Sequence, residues 1–138
     1  SSDLAYLNHV RFALKDFPDF VFFAGPEEFL VEFVLSGGHG GVNGGANLFP
    51  KLYVETYKAA ITRDFDKIRD LQKKIMQVCA TLYTVGNTSS SYLRGLKCAL
   101  EEAGICSGVV AEPFRKFEDP EKSEVRHNLE ALGYRSLL

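Results

Sequence analysis

The fold is decided by residues 19–45, which read DFVFFAGPEEFLVEFVLSGGHGGVNGG. This stretch holds two strand-like segments, Asp19–Gly25 and His39–Gly45, and each precedes a helical pattern. The apolar run Phe20–Ala24 is typical of a strand covered on both faces. Strands that alternate with helices predict a parallel sheet. Because two strands cannot close such a sheet, we expect the C-terminal part of a larger α/β protein.

Helical patterns fill most of the remaining sequence. Their expected ranges, counting capping residues, are Asp3–Asp16, Pro26–Leu35, Asn47–Ile61, Asp64–Val85, Tyr92–Ala103 and Glu121–Leu132. Pro18 should end the first of these helices, and the Ser/Thr run Thr88–Ser91 should cap the fifth. The fourth carries a one-sided apolar stripe, which predicts helix packing in a core or an interface. Residues 107–120 have no period and read as an extended connection.

Composition narrows the class of protein. The net charge of −2 argues against a nucleic-acid-binding surface, which needs clustered Lys and Arg. No apolar run approaches the roughly 18–20 residues that span a bilayer. Cys79, Cys98 and Cys106 match no metal-binding or redox spacing, so we expect reduced structural thiols, no metal site and a cytoplasmic location.

Functional groups of a parallel α/β protein lie at the C-terminal ends of its strands. The first strand is followed by Gly25-Pro26-Glu27-Glu28, and the second, placed at Gly41–Asn43, continues into Gly44-Gly45. The glycines permit close approach of a small ligand to the backbone, but tight packing or a phosphate cradle would need them too. The two glutamates could bind hydroxyls, act in acid–base chemistry, or only complement a helix dipole.

Two runs carry a resemblance to a known family. FVFFAGPEEFLVEFVLSGGHGGV (20–42) is similar to the seventh strand and helix of the dihydrodipicolinate synthase/N-acetylneuraminate lyase family. GGVNGGANLFPKLYVETYKAAITRDFDKIRDLQKKI (40–75) resembles its last βα unit and the helices that follow. The resemblance covers nearly the whole chain and implies the C-terminal part of a (β/α)8 TIM barrel plus a C-terminal helical extension. It assigns residues 1–62 to the last βα units and residues 63–138 to the extension.

The resemblance also implies a chemistry. Family members are lyases and aldolases in which a lysine forms a Schiff base with pyruvate or another 2-oxo acid, without a cofactor. Residues 1–5 look like the Ser/Thr-rich stretch that follows this lysine. The catalytic lysine is therefore expected just before Ser1, with no catalytic residue in this chain. The implied partners are a 2-oxo acid substrate, the N-terminal part of the same barrel and further copies in a homo-oligomer, a tetramer by resemblance; neither nucleic acid nor membrane is expected.

Six substrate-binding residues follow from the resemblance: Gly25, Glu27, Glu28, Val42, Asn43 and Gly44. The first three match the Gly-x-Asp-Glu positions that hold the polyhydroxy part of sialic acid. Val42 matches a position whose carbonyl faces the Schiff base. Gly44 stands where sialate lyases have Ser, so a hydroxyl contact is lost and a 2-keto-3-deoxy sugar acid or another 2-oxo acid is favoured.

Two other interpretations remain open from the sequence. The chain could be a non-catalytic fragment that acts only as an assembly module through its helical tail. It could also be a small nucleotide-binding α/β protein, although its Gly-rich stretch matches neither the dinucleotide-binding nor the Walker pattern. Nucleotide affinity without a partner would distinguish the latter.

Overall fold

A computed structural model describes residues 3–134. The elements in chain order are α1 (Leu4–Ala13), β1 (Phe23–Ala24), α2 (Leu30–Leu35), β2 (Gly40–Gly41), α3 (Pro50–Thr62), α4 (Phe65–Leu82), α5 (Ser91–Glu102) and α6 (Asp119–Ala131). Short 3-10 turns, Glu27–Phe29 and Gly44–Asn47, precede α2 and α3. The strands pair in parallel, with Phe23 opposite Gly40. The predicted order of two parallel strands, each followed by a helix, is therefore confirmed.

Both strands are shorter than the sequence indicates. β1 holds only Phe23–Ala24, not the whole run from Phe20, and β2 lies one residue before its predicted start. Within the described residues this run is not covered on both faces, because Phe20, Val21 and Phe23 are each more than half exposed, and coverage in a complete barrel stays a prediction. Within residues 3–134 the run has a single neighbouring strand. Only Ala24, at the end of the run, is fully buried.

Most helix boundaries agree with the sequence to within a few residues. Asp3 caps α1 as expected, since its side chain accepts hydrogen bonds from the amides of Ala5 and Tyr6. Ser1 and Ser2, which belong to the Ser/Thr-rich stretch of the family resemblance, lie outside the described residues. The helix ends at Ala13, earlier than the predicted Asp16 and well before Pro18. Its last turn is closed instead by the Leu14 amide, which bonds to Val10.

One predicted cap is wrong, and another is found in the predicted run but without a capping side-chain bond. Asn47 does not cap α3: it ends the preceding 3-10 turn, and its Nδ2 donates to the carbonyl of Gly44. Ser90 occupies the N-cap of α5 without a side-chain bond to the helix. In the Ser/Thr run the hydroxyl of Ser91 instead accepts from the Thr88 amide, which closes the turn before α5. Local polar side chains compete in this way for backbone groups near a helix start.

The core lies between α3, α4, α5 and α6. Ile75, Val78 and Leu82 of α4 are 0% exposed, so the predicted stripe forms the core of this chain. Cys79 and Cys98 are buried in it, and all three cysteines are free, as predicted. In the described part of the chain, no helix is long and apolar enough to cross a membrane. The domain boundary expected at residues 62/63 falls between α3 and α4 and stays a prediction.

Candidate functional site

A groove of about 640 Å³ opens at the C-terminal ends of the two strands. One side is formed by residues 25–28 and Val42, which follow β1 and β2. The other side comes from the helical part of the chain: Cys79, Tyr83, Thr84 and Tyr92. We call this cavity the strand-end groove. It brings together Gly25, Glu27, Glu28 and Val42, four of the six residues predicted to bind substrate.

Glu27 lies at the centre of a buried hydrogen-bond cluster. The amide of Gly45 donates to its Oε1 at 2.6 Å, and the Tyr53 hydroxyl donates to its Oε2. The Tyr83 hydroxyl lies 3.0 and 3.1 Å from the two carboxylate oxygens. Only 2% of Glu27 is exposed. One carboxylate thus joins the turn after β1 to the turn after β2, to α3 and to the end of α4.

The electrostatics of this cluster are set by burial. Removal from water raises the pKa of Glu27, and its three donors oppose that shift because they favour the charged form. Burial and the neighbouring Glu27 carboxylate raise the pKa of Tyr53 and Tyr83, and the Tyr83 phenol raises that of Tyr53 further. Both tyrosines therefore stay protonated as donors. Burial also raises the pKa of the Cys79 thiol. The groove wall thus holds neutral hydroxyl and thiol groups around the carboxyl of Glu27.

Two glycines of the Gly-rich sequence, Gly44 and Gly45, are explained by the tyrosines around this groove. A Cβ on Gly45 would lie 2.3 Å from the Tyr53 hydroxyl and 2.6 Å from that of Tyr83. A Cβ on Gly44 would lie 2.1 Å from the Tyr92 hydroxyl. Both positions therefore exclude larger residues because tyrosines from the helices approach the backbone. This observation favours close packing, rather than a phosphate cradle, as the reason for these glycines.

Asn43 and Gly44, the remaining two predicted residues, are not among those that line the strand-end groove. Asn43 is 8% exposed, and its Nδ2 donates to the carbonyl of Gly25 at 2.8 Å. Gly44 lies under Tyr92. Their substrate-binding role stays a prediction. In the structure both residues contact groups that line the groove, Asn43 through Gly25 and Gly44 through Tyr92.

Glu28 and Val42 present the more accessible surface of the groove. Val42 is 73% exposed, while its amide bonds to the carbonyl of Ala24. Glu28 is half-buried, and its backbone carbonyl accepts a hydrogen bond from Gln72 on α4. Its carboxylate contributes to raising the pKa of Cys79 across the groove. Both residues can meet a ligand without disturbing the Glu27 cluster.

Sequence reasoning missed the tyrosines. Tyr53 and Tyr83 lie 26 and 56 residues from Glu27 along the chain, so no local motif connects them. Tyr92 adds a third ring, packed edge-on against Tyr83 at 4.7 Å between centroids. The sequence pointed to the tyrosines only indirectly, because adjacent glycines at a strand end indicate that a large side chain packs against the backbone there.

Amines and metal ligands are sparse near the groove. Among residues 3–134, no lysine lines it, and no group of three or more His, Cys, Asp or Glu side chains could hold a metal ion. His39, before β2, accepts a hydrogen bond at Nδ1 from the Phe22 amide and stacks on the Phe22 ring. The described chain therefore offers hydroxyl, carboxylate and backbone groups for binding.

Comparison with known proteins identifies relatives. A model of the dihydrodipicolinate synthetase family matches residues 1–132. The 4-hydroxy-tetrahydrodipicolinate synthase of Methanopyrus kandleri is 28% identical over 123 residues, which are 89% of this chain and 39% of that protein. The structure of dihydrodipicolinate synthase from Bacteroides thetaiotaomicron is 53% identical with a TM-score of 0.90, covering 95% of this chain and 44% of that one.

A more distant structure shows the same fold. YagE of E. coli K12, a prophage protein of the dihydrodipicolinic acid synthase family solved in complex with pyruvate, is 21% identical with a TM-score of 0.81. It matches 97% of this chain and 44% of its own. The chain thus spans about two-fifths of the length of the relatives it matches.

Proposed function

This chain belongs to the dihydrodipicolinate synthetase family, and we propose that it forms the C-terminal segment of a Schiff-base-forming lyase or aldolase. The substrate is a pyruvate-derived 2-oxo acid or a 2-keto-3-deoxy sugar acid. The strand-end groove carries this proposal, because it gathers Gly25, Glu28 and Val42 where ligands of parallel α/β proteins bind. The similarity to a structure solved with pyruvate supports the substrate class.

The reactive lysine is proposed to come from residues outside this sequence. No lysine lines the groove in the part of the chain that the structure describes. A Schiff base needs an amine in a partly desolvated pocket, where its pKa falls enough for attack on a carbonyl. The chain then contributes one wall of the pocket, and the N-terminal part of the barrel contributes the amine.

We also propose that this chain associates with the N-terminal part of the barrel through the surface around β1. More than half of the surface of Phe20, Val21 and Phe23 is exposed around β1. An unpaired strand edge with apolar side chains is suited to further strands. We assign this surface to the N-terminal part of the barrel. A homo-oligomer, a tetramer in the family resemblance, and a cytoplasmic location remain proposals on that resemblance alone.

The test is a chimera in which this chain replaces the matching C-terminal segment of the Bacteroides thetaiotaomicron synthase, whose structure is 53% identical. We expect borohydride reduction with pyruvate to trap one adduct on the chimera and none on this chain alone. Turnover is then assayed with 2-keto-3-deoxy sugar acids, with sialic acid, and with pyruvate plus aspartate semialdehyde.

The outcome separates the proposal from the assembly-module alternative. Turnover of any of these substrates supports a pocket completed by this chain, and the preferred substrate fixes the reaction. A chimera that folds and traps pyruvate but turns over none of them would show that this chain supplies assembly contacts without a working pocket. Each half alone, assayed in parallel, controls for residual activity of the parent segment.

A further inference from the structure

Glu27 borders the strand-end groove, yet its acceptor capacity is largely used inside the protein. A carboxylate offers about four lone-pair sites. Gly45, Tyr53 and Tyr83 direct donors to its two oxygens from three different parts of the chain. A substrate hydroxyl would have to displace one of these partners from a side chain that is 2% exposed. Direct ligand binding is therefore a poor use of this carboxylate.

What Glu27 holds is the backbone that follows β2. The Gly45 amide bonds to its carboxylate, while the Gly45 carbonyl accepts from the amides of Leu48 and Phe49. The backbone of this one residue thus connects the turn after β1 to the start of α3. Val42, which lines the groove, lies three residues before this point. A movement of Gly45 would therefore be transmitted along the short segment 42–45.

Glu27 also fixes the opposite wall. Its carboxylate bonds the Tyr83 hydroxyl, and the Tyr83 ring packs edge-on against Tyr92. The Tyr92 hydroxyl in turn lies where a side chain on Gly44 would be. The two walls of the groove therefore contact each other twice, once through Glu27 and once through Tyr92.

We infer that Glu27 is a positioning residue, which sets the shape of the strand-end groove through Gly45 on one wall and Tyr83 on the other without contacting substrate. The inference rests on the proposed function for what the groove binds. The contacts themselves belong to this chain, so they can be tested whether or not the proposed chemistry is right.

The groups that face Glu27 determine how it responds to pH. They are Glu28 on its own turn, Tyr53 on α3, Cys79 and Tyr83 on α4 and at its end, and Tyr92 on α5. None of these described groups is cationic. The charged form of Glu27 is therefore stabilised by hydrogen bonds alone, against a burial that favours the neutral form and raises the pKa.

The direct test measures the Gly45 amide in this chain. In Glu27→Gln an amide oxygen replaces one acceptor, so we expect the Gly45 proton to stay protected from hydrogen exchange. In Glu27→Ala we expect exchange of residues 42–45 to rise about tenfold more than that of the α6 core. Leu129→Ala is the matched control: it removes a buried side chain from α6, away from the groove, and should not single out residues 42–45.

The chimera allows substrate kinetics to be measured. It also allows hydrogen exchange to be measured if a variant of the isolated chain fails to fold. Peptide-level exchange on the chimera gives the same comparison. We expect Glu27→Ala to raise KM for the substrate about tenfold with a smaller change in kcat, and Glu27→Gln to restore most of the loss. Leu129→Ala should lower the thermal midpoint without changing KM.

Two results would overturn the positioning role. One is exchange at residues 42–45 in Glu27→Ala that rises no more than in Leu129→Ala. The other is a chimera in which Glu27→Gln is as impaired as Glu27→Ala while exchange is normal, since that would make Glu27 a direct ligand. A chimera inactive even with Glu27 intact contradicts the proposed function, and the exchange measurement still decides the role of Glu27.

Discussion

Asn43 bridges the ends of the two strands, since its Nδ2 donates a 2.8 Å hydrogen bond to the carbonyl oxygen of Gly25. The adjacent Val42 amide bonds to Ala24, so the two segments are joined twice just beyond the paired residues. Asn43 is only 8% exposed. Water cannot easily replace its amide, and the bond therefore fixes the spacing between both strand ends where they meet the groove.

Asn43→Ala is expected to destabilise the chain by roughly 1.5 kcal/mol, the upper end of what a side-chain hydrogen bond contributes, because the donor it removes is a largely buried amide. The matched control is Asn47→Ala. Asn47 makes a similar side-chain bond to the Gly44 carbonyl but is exposed, so water can take its place and the cost should be below about 1 kcal/mol. Urea unfolding measures both variants. Equal losses would show that the Asn43 bond is not specially protected.

The stability of the chain should carry a pH dependence from Glu27. Burial raises its folded pKa above the ordinary value of 4.5, so the folded chain retains a proton that the unfolded chain has already released. Stability from this group is present below the unfolded pKa and declines as pH rises through the folded pKa. As pH rises from 4 towards neutrality, the unfolding free energy of the wild type should therefore fall relative to that of Glu27→Gln, which cannot titrate at this position. A shift in the opposite direction would mean that the hydrogen bonds outweigh burial.

Features that depend on short-range, repeating patterns could be predicted from the sequence. The apolar stripe of α4 is visible at spacings of three and four residues, and its members form the core. The positions of Glu28 and Val42 follow from their location after strands of a parallel sheet. In both cases a short-range pattern and one architectural rule were sufficient.

The rest depends on contacts between distant parts of the chain. Nothing near Glu27 shows that its partners are Tyr53 and Tyr83, so a charged residue that looked available for ligand is in fact enclosed. The apolar run from Phe20 predicted a fully covered strand, but coverage depends on neighbouring elements and not on the run itself. Caps such as Asn47 failed because a competing local hydrogen bond was available.

Val42 offers a way to obstruct the groove without disturbing the fold. Its side chain is 73% exposed and lines the cavity, so Val42→Arg should place a long cationic side chain where substrate is proposed to bind. In the chimera we expect kcat/KM to fall by about tenfold or more with an unchanged thermal midpoint. Val109→Arg is the control, because Val109 is 63% exposed in the connection between α5 and α6, away from the groove. Full activity of Val42→Arg would place the substrate elsewhere.

The exposed apolar surface around β1 should make the isolated chain associate. Phe20, Val21 and Phe23 expose apolar side chains at β1 and just before it. In the described residues β1 has a strand on only one side, and a free strand edge of this kind pairs with other chains. Val21→Lys should reduce the weight-average mass in sedimentation experiments, since charge on an edge opposes pairing. Ile105→Lys, which changes a residue 49% exposed after α5, should leave association unchanged. If both variants associate like the wild type, the contact lies on another face.

Two residues of α4 distinguish the internal core from an external interface. Val78 is 0% exposed, so Val78→Asp buries an unpaired charge and should cost more than about 4 kcal/mol, enough to unfold the chain. Met76, on the same helix, is 45% exposed, and Met76→Asp should change the free energy of unfolding by less than about 0.5 kcal/mol. Circular dichroism during urea titration separates the two effects. If Met76→Asp instead lowers the oligomer mass of the chimera at unchanged stability, the outer face of α4 is an assembly surface. A folded Val78→Asp variant would mean that the stripe serves an interface and not the core.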